Sequence, residues 1–292
     1  MMTTTTKRTT TTTTISSSRS TTRGEAREGL SSFSAFSLLF HLFFPPQCWR
    51  RSHAQVMQRK LLLCELHAHT TWSDGALTLT ELVDLYGRHS FDVLCITDHA
   101  APGGVGRLNA ATYARYLEAI EREARRAREQ YDLLLIPGME LTFHGGGPEH
   151  AGHALALGQR SWVDLDRGLR HAVREARAGG AALVAAHPHG EGSDPNPHRT
   201  TRWFWNNRSR LRGLVHRFEL INRDQTFGWI ADSGLRGVAS GDFHRPEHLE
   251  TWKTQLPCTK TERAVVAYLR SRSPAYIVPW HLRDASQERR AA

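Results

Sequence analysis

The stretch Leu61–Gly75, LLLCELHAHTTWSDG, decides how the rest of the chain is read. An apolar run as long as one buried strand ends abruptly in His67 and His69, and Asp74 follows in a turn. Imidazoles at a buried strand's tip gain nothing from the core, so something at that tip should bind them. In a His-x-His spacing on a strand both side chains lie on one face, where a single partner can take both.

Downstream, short apolar runs alternate with amphipathic ones. Strands are expected at Leu61–Leu66, Val93–Thr97, Leu133–Pro137, His153–Leu157, Ala182–Ala186, Phe218–Ile221 and Gly237–Ser240. Between them LTLTELVDLYGRHS reads as a helix capped by Thr80, with Leu82, Leu85 and Tyr86 on one face. ATYARYLEAIEREARRAREQ repeats Tyr113, Tyr116, Leu117 and Ile120 at helical spacing, and DLDRGLRHAVREARAGG ends in a Gly pair suited to a helix stop. A further helix is expected at Glu262–Arg270, with an extended piece after it. Strand and helix in alternation predict an α/β fold with a parallel sheet, either a barrel or an open doubly wound sheet.

In such folds, sites form at the C-terminal ends of the strands. The first expected strand ends in His67 and His69 with Asp74 beyond, the second in Asp98 and His99, and the third leads to Glu140. His187 follows the fifth, Asp242 and His244 follow the seventh, and His153 opens the run HALALG. Neutral imidazole with carboxylate suits Zn, Mn or Fe, whereas Ca or Mg alone would call for oxygen ligands. Six histidines and three carboxylates exceed one tetrahedral ion and match two or three divalent ions with bridging carboxylates.

The ordered set HAHTTWSDG, ITDHA, PGMEL, GHALALG, AAHP and GDFH resembles the PHP (polymerase and histidinol phosphatase) superfamily of metal-dependent phosphoesterases, over residues 61 to about 245. The resemblance implies a distorted seven-stranded (β/α) barrel holding a trinuclear metal site. Its ligands would be His67, His69, Asp74, His99, Glu140, His153, His187, Asp242 and His244, with Glu140 bridging two ions. His150 competes with His153 for one place, and His153 is taken because it opens a strand. Phe243 is bulkier than the residue expected there; it either shapes the pocket or packs behind the ligands.

The expected activity is phosphoester hydrolysis, in which closely spaced ions activate a hydroxide and offset phosphate charge. The expected substrate is a small phosphate ester: a nucleotide, a nucleoside bisphosphate or a phosphorylated metabolite. Beyond the ligands, Asp98 and Arg245 are assigned to the catalytic machinery, Asp98 as the residue that orients a ligand beside His99. Arg199, Arg202 and Arg245 are the expected phosphate contacts, because guanidinium pairs with phosphate in bidentate fashion. Trp203, Phe204 and Trp205 either stack on a base or pack a helix onto the barrel.

Other readings are weighed by charge and composition. The 292 residues carry 38 Lys/Arg against 29 Asp/Glu, a net charge of +9. Residues 1–56 hold seven of the basic residues and two of the acidic ones, so the body carries only +4. An exonuclease acting on nucleic-acid ends is disfavoured by so modest an excess. An amidohydrolase barrel often bridges its metals with a carboxylated Lys, and no Lys lies between Lys60 and Lys253. A structural metal module calls for a closed Cys-rich site. The four cysteines, Cys48, Cys64, Cys95 and Cys258, show no CxxC spacing and read as free thiols of a reducing, cytoplasmic setting. Residues 1–56 open with TTTTKRTTTTTT and are read as a disordered or non-native extension, with Met57 as the start of the 57–292 phosphoesterase domain. FSAFSLLFHLFF is too short to span a bilayer, although a targeting segment remains the alternative.

Overall fold

The computed structural model describes residues 61–104, 108–191, 201–210 and 213–281; the expectation for residues 1–56 lies outside them. The chain runs β1 (Leu62–Glu65), α1 (Leu79–Arg88), β2 (Val93–Ile96), β3 (His99–Ala100), α2 (Ala110–Tyr131), β4 (Leu134–Phe143) and β5 (Gly152–Leu157). It continues through α3 (Leu169–Ala178), β6 (Ala182–Ala186), α4 (Trp203–Asn206), β7 (Arg217–Asn222), β8 (Gln225–Thr226) and α5 (Trp229–Asp232). β9 (Gly237–Ser240), β10 (Trp252–Leu256), α6 (Glu262–Arg270) and β11 (Tyr276–Pro279) complete it. One curled mixed sheet orders these strands β11-β10-β1-β2-β4-β5-β6-β7-β8, with β3 on β4 and β9 on β7.

The seven expected strands are β1, β2, β4, β5, β6, β7 and β9, but the sheet is not uniformly parallel. β5 runs antiparallel to both β4 and β6, with Thr142 opposite His153 and His153 opposite Ala186. The cause is the short connection between β4 and β5, which makes a hairpin and leaves no room for a crossover helix. Reversal puts the first residues of β5 at the end of the sheet where its neighbours β4 and β6 finish. β10, which the sequence pattern did not mark, pairs antiparallel with β1, and β11, the extended piece expected after α6, pairs antiparallel with β10.

The two faces divide the core. On the outer face α1, α2 and α3 cover Leu94, Ile96, Leu135 and Leu183. α1 is capped by Thr78, two residues earlier than expected at Thr80: Glu81 N donates to Thr78 Oγ1 (3.3 Å) and Thr78 N donates to Glu81 Oε2 (2.8 Å). On the inner face Val93, Cys95, Ile136, Leu155 and Val184 meet Val265 and Leu269 of α6 in an apolar plug. Alternation then carries Ile136 to Glu140 on β4 and Leu155 to His153 on β5, so the face that makes the plug makes the mouth above it. Cys64 and Cys95 are buried free thiols, as expected, and Cys258 is buried. No helix among the described residues is long and apolar enough to cross a membrane.

A single parallel bridge, Ala68 with Phe243, joins the segments after β1 and β9. His69 N donates to Phe243 O (2.8 Å) and Phe243 N donates to His67 O (3.0 Å). The residues flanking a bridged pair turn to the opposite face. His67 and His69 therefore face Asp242 and His244, while Phe243 packs edge-on against Tyr86 in the core behind them. Beneath the bridge, fully buried Glu65 and Lys253 pair at 2.8 Å, and Glu65 also accepts from Gly241 N (2.9 Å) and Tyr86 OH (3.1 Å). A Cβ on Gly241 would lie 2.6 Å from both partners of the pair, so a larger residue there would have to displace them. Removing one member of a buried ion pair costs about 3–5 kcal/mol. Lys253→Met should accordingly lower the unfolding free energy by about 3 kcal/mol, read from the urea midpoint at unchanged slope. A midpoint equal to that of the parent would show that the pair contributes nothing.

Candidate metal centre

His67, His69, Asp74, His99, Glu140, His153, His187, Asp242 and His244 all come to the mouth of the sheet. Ligand-capable atoms fall into three overlapping groups: His69, Asp74, His99 and His244; His67, His69 and Glu140; and His99, Glu140 and His153. Asp242 Oδ1 joins at 3.4 Å from His67 Nε2 and 3.5 Å from His69 Nε2, and His187 Nε2 lies 3.2 Å from Glu140 Oε1. Asp74 is brought in by the turn after His69. There Gly75 N donates to Thr70 O, and a Gly75 Cβ would sit 2.3 Å from His69 O. His150 lies on the exposed loop, where its ring contacts Gly146 O, whereas His153 Nδ1 stands 2.8 Å from Glu140 Oε1.

The donor set fits divalent ions. The Nε2 atoms of His67, His69 and His153 and Oε2 of Glu140 are buried without a hydrogen-bond partner. His99 Nδ1 lies 2.7 Å from that Glu140 oxygen, but its hydrogen bond goes to Thr142 Oγ1. Each orphaned group of this kind costs about 1–3 kcal/mol, a cost that coordination removes. Tetrahedral ligands at metal distances lie roughly 3.4 Å apart. His67 and His69 Nε2 each stand 3.5 Å from Glu140 Oε2. His99 and His244 Nε2 stand 3.5 and 3.4 Å from Asp74 Oδ1.

Charge is strongly coupled across the site. Burial disfavours the ionised form of every group, and neighbours decide the outcome. Burial opposes ionisation of Glu140 and Asp242, yet the imidazoles around them hold both carboxyls well below the usual range. Burial also disfavours the His67 and His187 cations. Asp242, Glu219 and Glu140 around His67, and chiefly Glu140 beside His187, outweigh it and raise both. His69 is pushed well down by burial and then by His99 and His244, and His153 falls to about 3 chiefly through burial.

The remaining expected site residues divide. Asp98 is fully buried and does not bond His99. Its carboxylate accepts from Thr70 N (2.8 Å), Thr70 Oγ1 (2.9 Å) and Ser73 Oγ (2.7 Å), which staples the turn that presents Asp74. Arg245 lines the cavity over the centre. Arg202 is absent from that lining and pairs with Glu149 at 2.8 Å, and Arg199 lies outside the described residues. Phe204 is buried in the core and Trp205 packs edge-on against Trp229, so this aromatic cluster packs a helix onto the sheet.

Three residues of the frame went unread in the sequence. Glu219 accepts from His67 Nδ1 at 2.8 Å, and Glu65 accepts from His67 N at 3.2 Å. Arg223 donates to Asp242 O (2.8 Å) and lies 3.0 Å from both Asp242 Oδ2 and His244 Nδ1. Glu65 and Glu219 sit inside apolar strands, where a single Glu reads as a solvent-facing alternate. The signal available for Arg223 was its place directly after a strand end, in INRD.

A two-domain protein from Bacteroides vulgatus, containing a predicted PHP-like metal-dependent phosphoesterase, superposes on the chain with a TM-score of 0.56 and 23% identity. The match covers 75% of this chain and 65% of that one. The chain has a PHP-like fold. A 3',5'-nucleoside bisphosphate phosphatase from Chromobacterium violaceum is 32% identical over 125 residues, 42% of this chain and 38% of the phosphatase. The chain thus spans less than two thirds of the length of either relative. No protein-family model matches it.

Metal uptake by this candidate centre should displace protons, because His67 and His187 hold theirs more firmly than a free imidazole. Zn or Mn affinity should therefore fall as the pH is lowered, with the fall setting in above the ordinary imidazole range because both pKa values are raised. Calorimetric titration of metal-stripped protein in two buffers of unlike ionisation enthalpy checks this, and identical heats in the two would contradict it.

Proposed function

We propose that the chain is a metal-dependent phosphoesterase that hydrolyses a small phosphate ester such as a nucleotide, a nucleoside bisphosphate or a phosphorylated metabolite. The observation that carries the proposal is the set of nine histidines and carboxylates at one mouth, several with buried donor atoms left unpaired. A cavity of about 570 Å³ lies over them, within the range of small-molecule sites. The curated relative supports the same reading, since its own substrate is a nucleoside bisphosphate.

Two or three divalent ions of the Zn, Mn or Fe type would be held in this reading. His69, Asp74, His99 and His244 would form one position, and His67, His69, Glu140, His153, His187 and Asp242 the others. Such ions supply Lewis acidity toward water and toward phosphate oxygen. The protein supplies placement. Glu140, with both oxygens among imidazoles, is suited to bridge. Asp98 fixes the turn that carries Asp74. Arg223, bonded to Asp242 and His244, keeps those two side chains at a fixed spacing. Arg245, 65% exposed and only 3.7 Å from Glu247 as its nearest acid, is the guanidinium available to grip a phosphate.

Phosphate release from the metal-loaded protein tests this across aryl phosphate mono- and diesters, mononucleotides, nucleoside bisphosphates, histidinol phosphate and short oligonucleotides. At least one small monoester should turn over, and His67→Ala with His69→Ala should abolish the activity. Arg245→Ala should lower kcat/KM roughly 10-fold or more, the worth of a charge-assisted hydrogen bond. Metal-replete protein that cleaves none of the panel would defeat the proposal, and cleavage confined to oligonucleotides would turn it toward the exonuclease reading.

A further inference from the structure

We propose that Glu219 is the positioning residue of the metal centre: one buried carboxylate fixes the ring of His67 and the backbone of His187, so that two separate strands present a single site. The proposal rests on the metal reading above. Glu219 lies on β7 and has no exposed surface. Its Oε1 is 2.8 Å from His67 Nδ1 and accepts from Ser240 Oγ, and its Oε2 accepts from His187 N at 2.6 Å and Asn222 Nδ2 at 2.7 Å. One side chain thereby ties together the ends of β1, β6, β7 and β9.

Each bond has a consequence for coordination. With Nδ1–H donated to Glu219, the lone pair of His67 is on Nε2, the atom that stands unpaired and 3.4–3.5 Å from Asp242 and Glu140. His187 has a φ of +28°, a conformation that a residue with a Cβ rarely keeps without support, and its amide is held by Glu219. The register of β7 against β9 shifts between Glu219 and Ile221, an irregularity of the kind that re-aims a side chain. The demand is for a carboxylate in particular. His67 Nδ1–H, Ser240 O–H, His187 N–H and the Asn222 amide are four donors, and a carboxylate offers about four acceptor positions and no proton. The amide nitrogen of a Gln would point hydrogens at two of those donors.

The test compares Glu219→Gln with Ser240→Ala, which removes one bond to Glu219 and leaves both histidine contacts. Competition against a chelator, with circular dichroism to confirm folding, should show metal binding about 10–100-fold weaker in Glu219→Gln and close to wild type in Ser240→Ala. Nitrogen-15 NMR of the metal-loaded wild-type protein is the second readout, and it needs no variant. His67 should carry its proton on Nδ1 and its metal on Nε2. A folded Glu219→Gln protein with wild-type affinity, or a His67 that coordinates through Nδ1, would overturn the role of Glu219. If Glu219→Gln does not fold, the ring-nitrogen assignment decides alone. Wild-type protein that takes up no divalent metal would instead overturn the metal reading, so the two failures are distinguishable.

Discussion

Glu140 is a carboxylate with no exposed surface, set among the rings of His67, His69, His99, His153 and His187. No Lys or Arg contact to it is found among the described residues. An ionised carboxylate in such a place is tolerable only if positive charge is supplied nearby. Imidazoles can supply it by taking protons, and divalent ions can supply it without them. The rest of the mouth follows from this requirement. β5 must run backwards, because only a reversed strand brings His153 to within 2.8 Å of Glu140 from the side where β4 and β6 present Glu140 and His187.

Around that centre stands a frame of three buried carboxylates and a half-buried Arg whose targets are mostly backbone or the far side of a ring. Glu65 holds the backbone of His67 and Gly241, Asp98 holds Thr70 and Ser73, Glu219 holds His187, and Arg223 holds the carbonyl of Asp242. The frame is concentrated where the backbone is under strain. His187, Asp242 and Arg223 have φ values of +28°, +43° and +53°, and each is a non-glycine residue at or beside the centre. Conformations of this kind persist when the surroundings over-determine them. Here each is fixed by at least one bond from a neighbouring strand: Glu219 to His187, Arg223 to Asp242, and Ser240 O to the amide of Arg223.

Much of this was legible in the sequence, and the division is physical. Candidate ligands at strand ends are visible because an imidazole or carboxylate terminates an apolar run, and HAHTTWSDG, TDH and GDFH do this conspicuously. The strands were legible for the same reason. What escaped was everything set by pairing across long separations. Reversal of β5 depends on the β4–β5 connection being too short for a helix, which periodicity does not report. Glu219 lies 152 residues from His67, and in RFELIN it looks like any outward residue of an alternating strand. Arg202 looked like a phosphate contact by type and by its loop, and only the fold shows that Glu149 takes it. Phe243 was undecided until the Ala68 bridge fixed which way it points.

The centre and its rim answer different questions. A cluster of imidazoles and carboxylates that coordinates divalent ions is indifferent to what is esterified to the phosphate, because ions act on phosphate oxygens alone. Discrimination must come from groups over the centre that are not already spent on it. Arg223 is spent, with its guanidinium on Asp242 and His244. Arg245 is not, and it stands at the cavity edge immediately after a proposed ligand. It is therefore held in register with the centre by the same bridge that orients Asp242 and His244. In the proposed reading, a guanidinium so placed is free to pair in bidentate fashion with a phosphate oxygen pair or with a second anionic group on the same molecule.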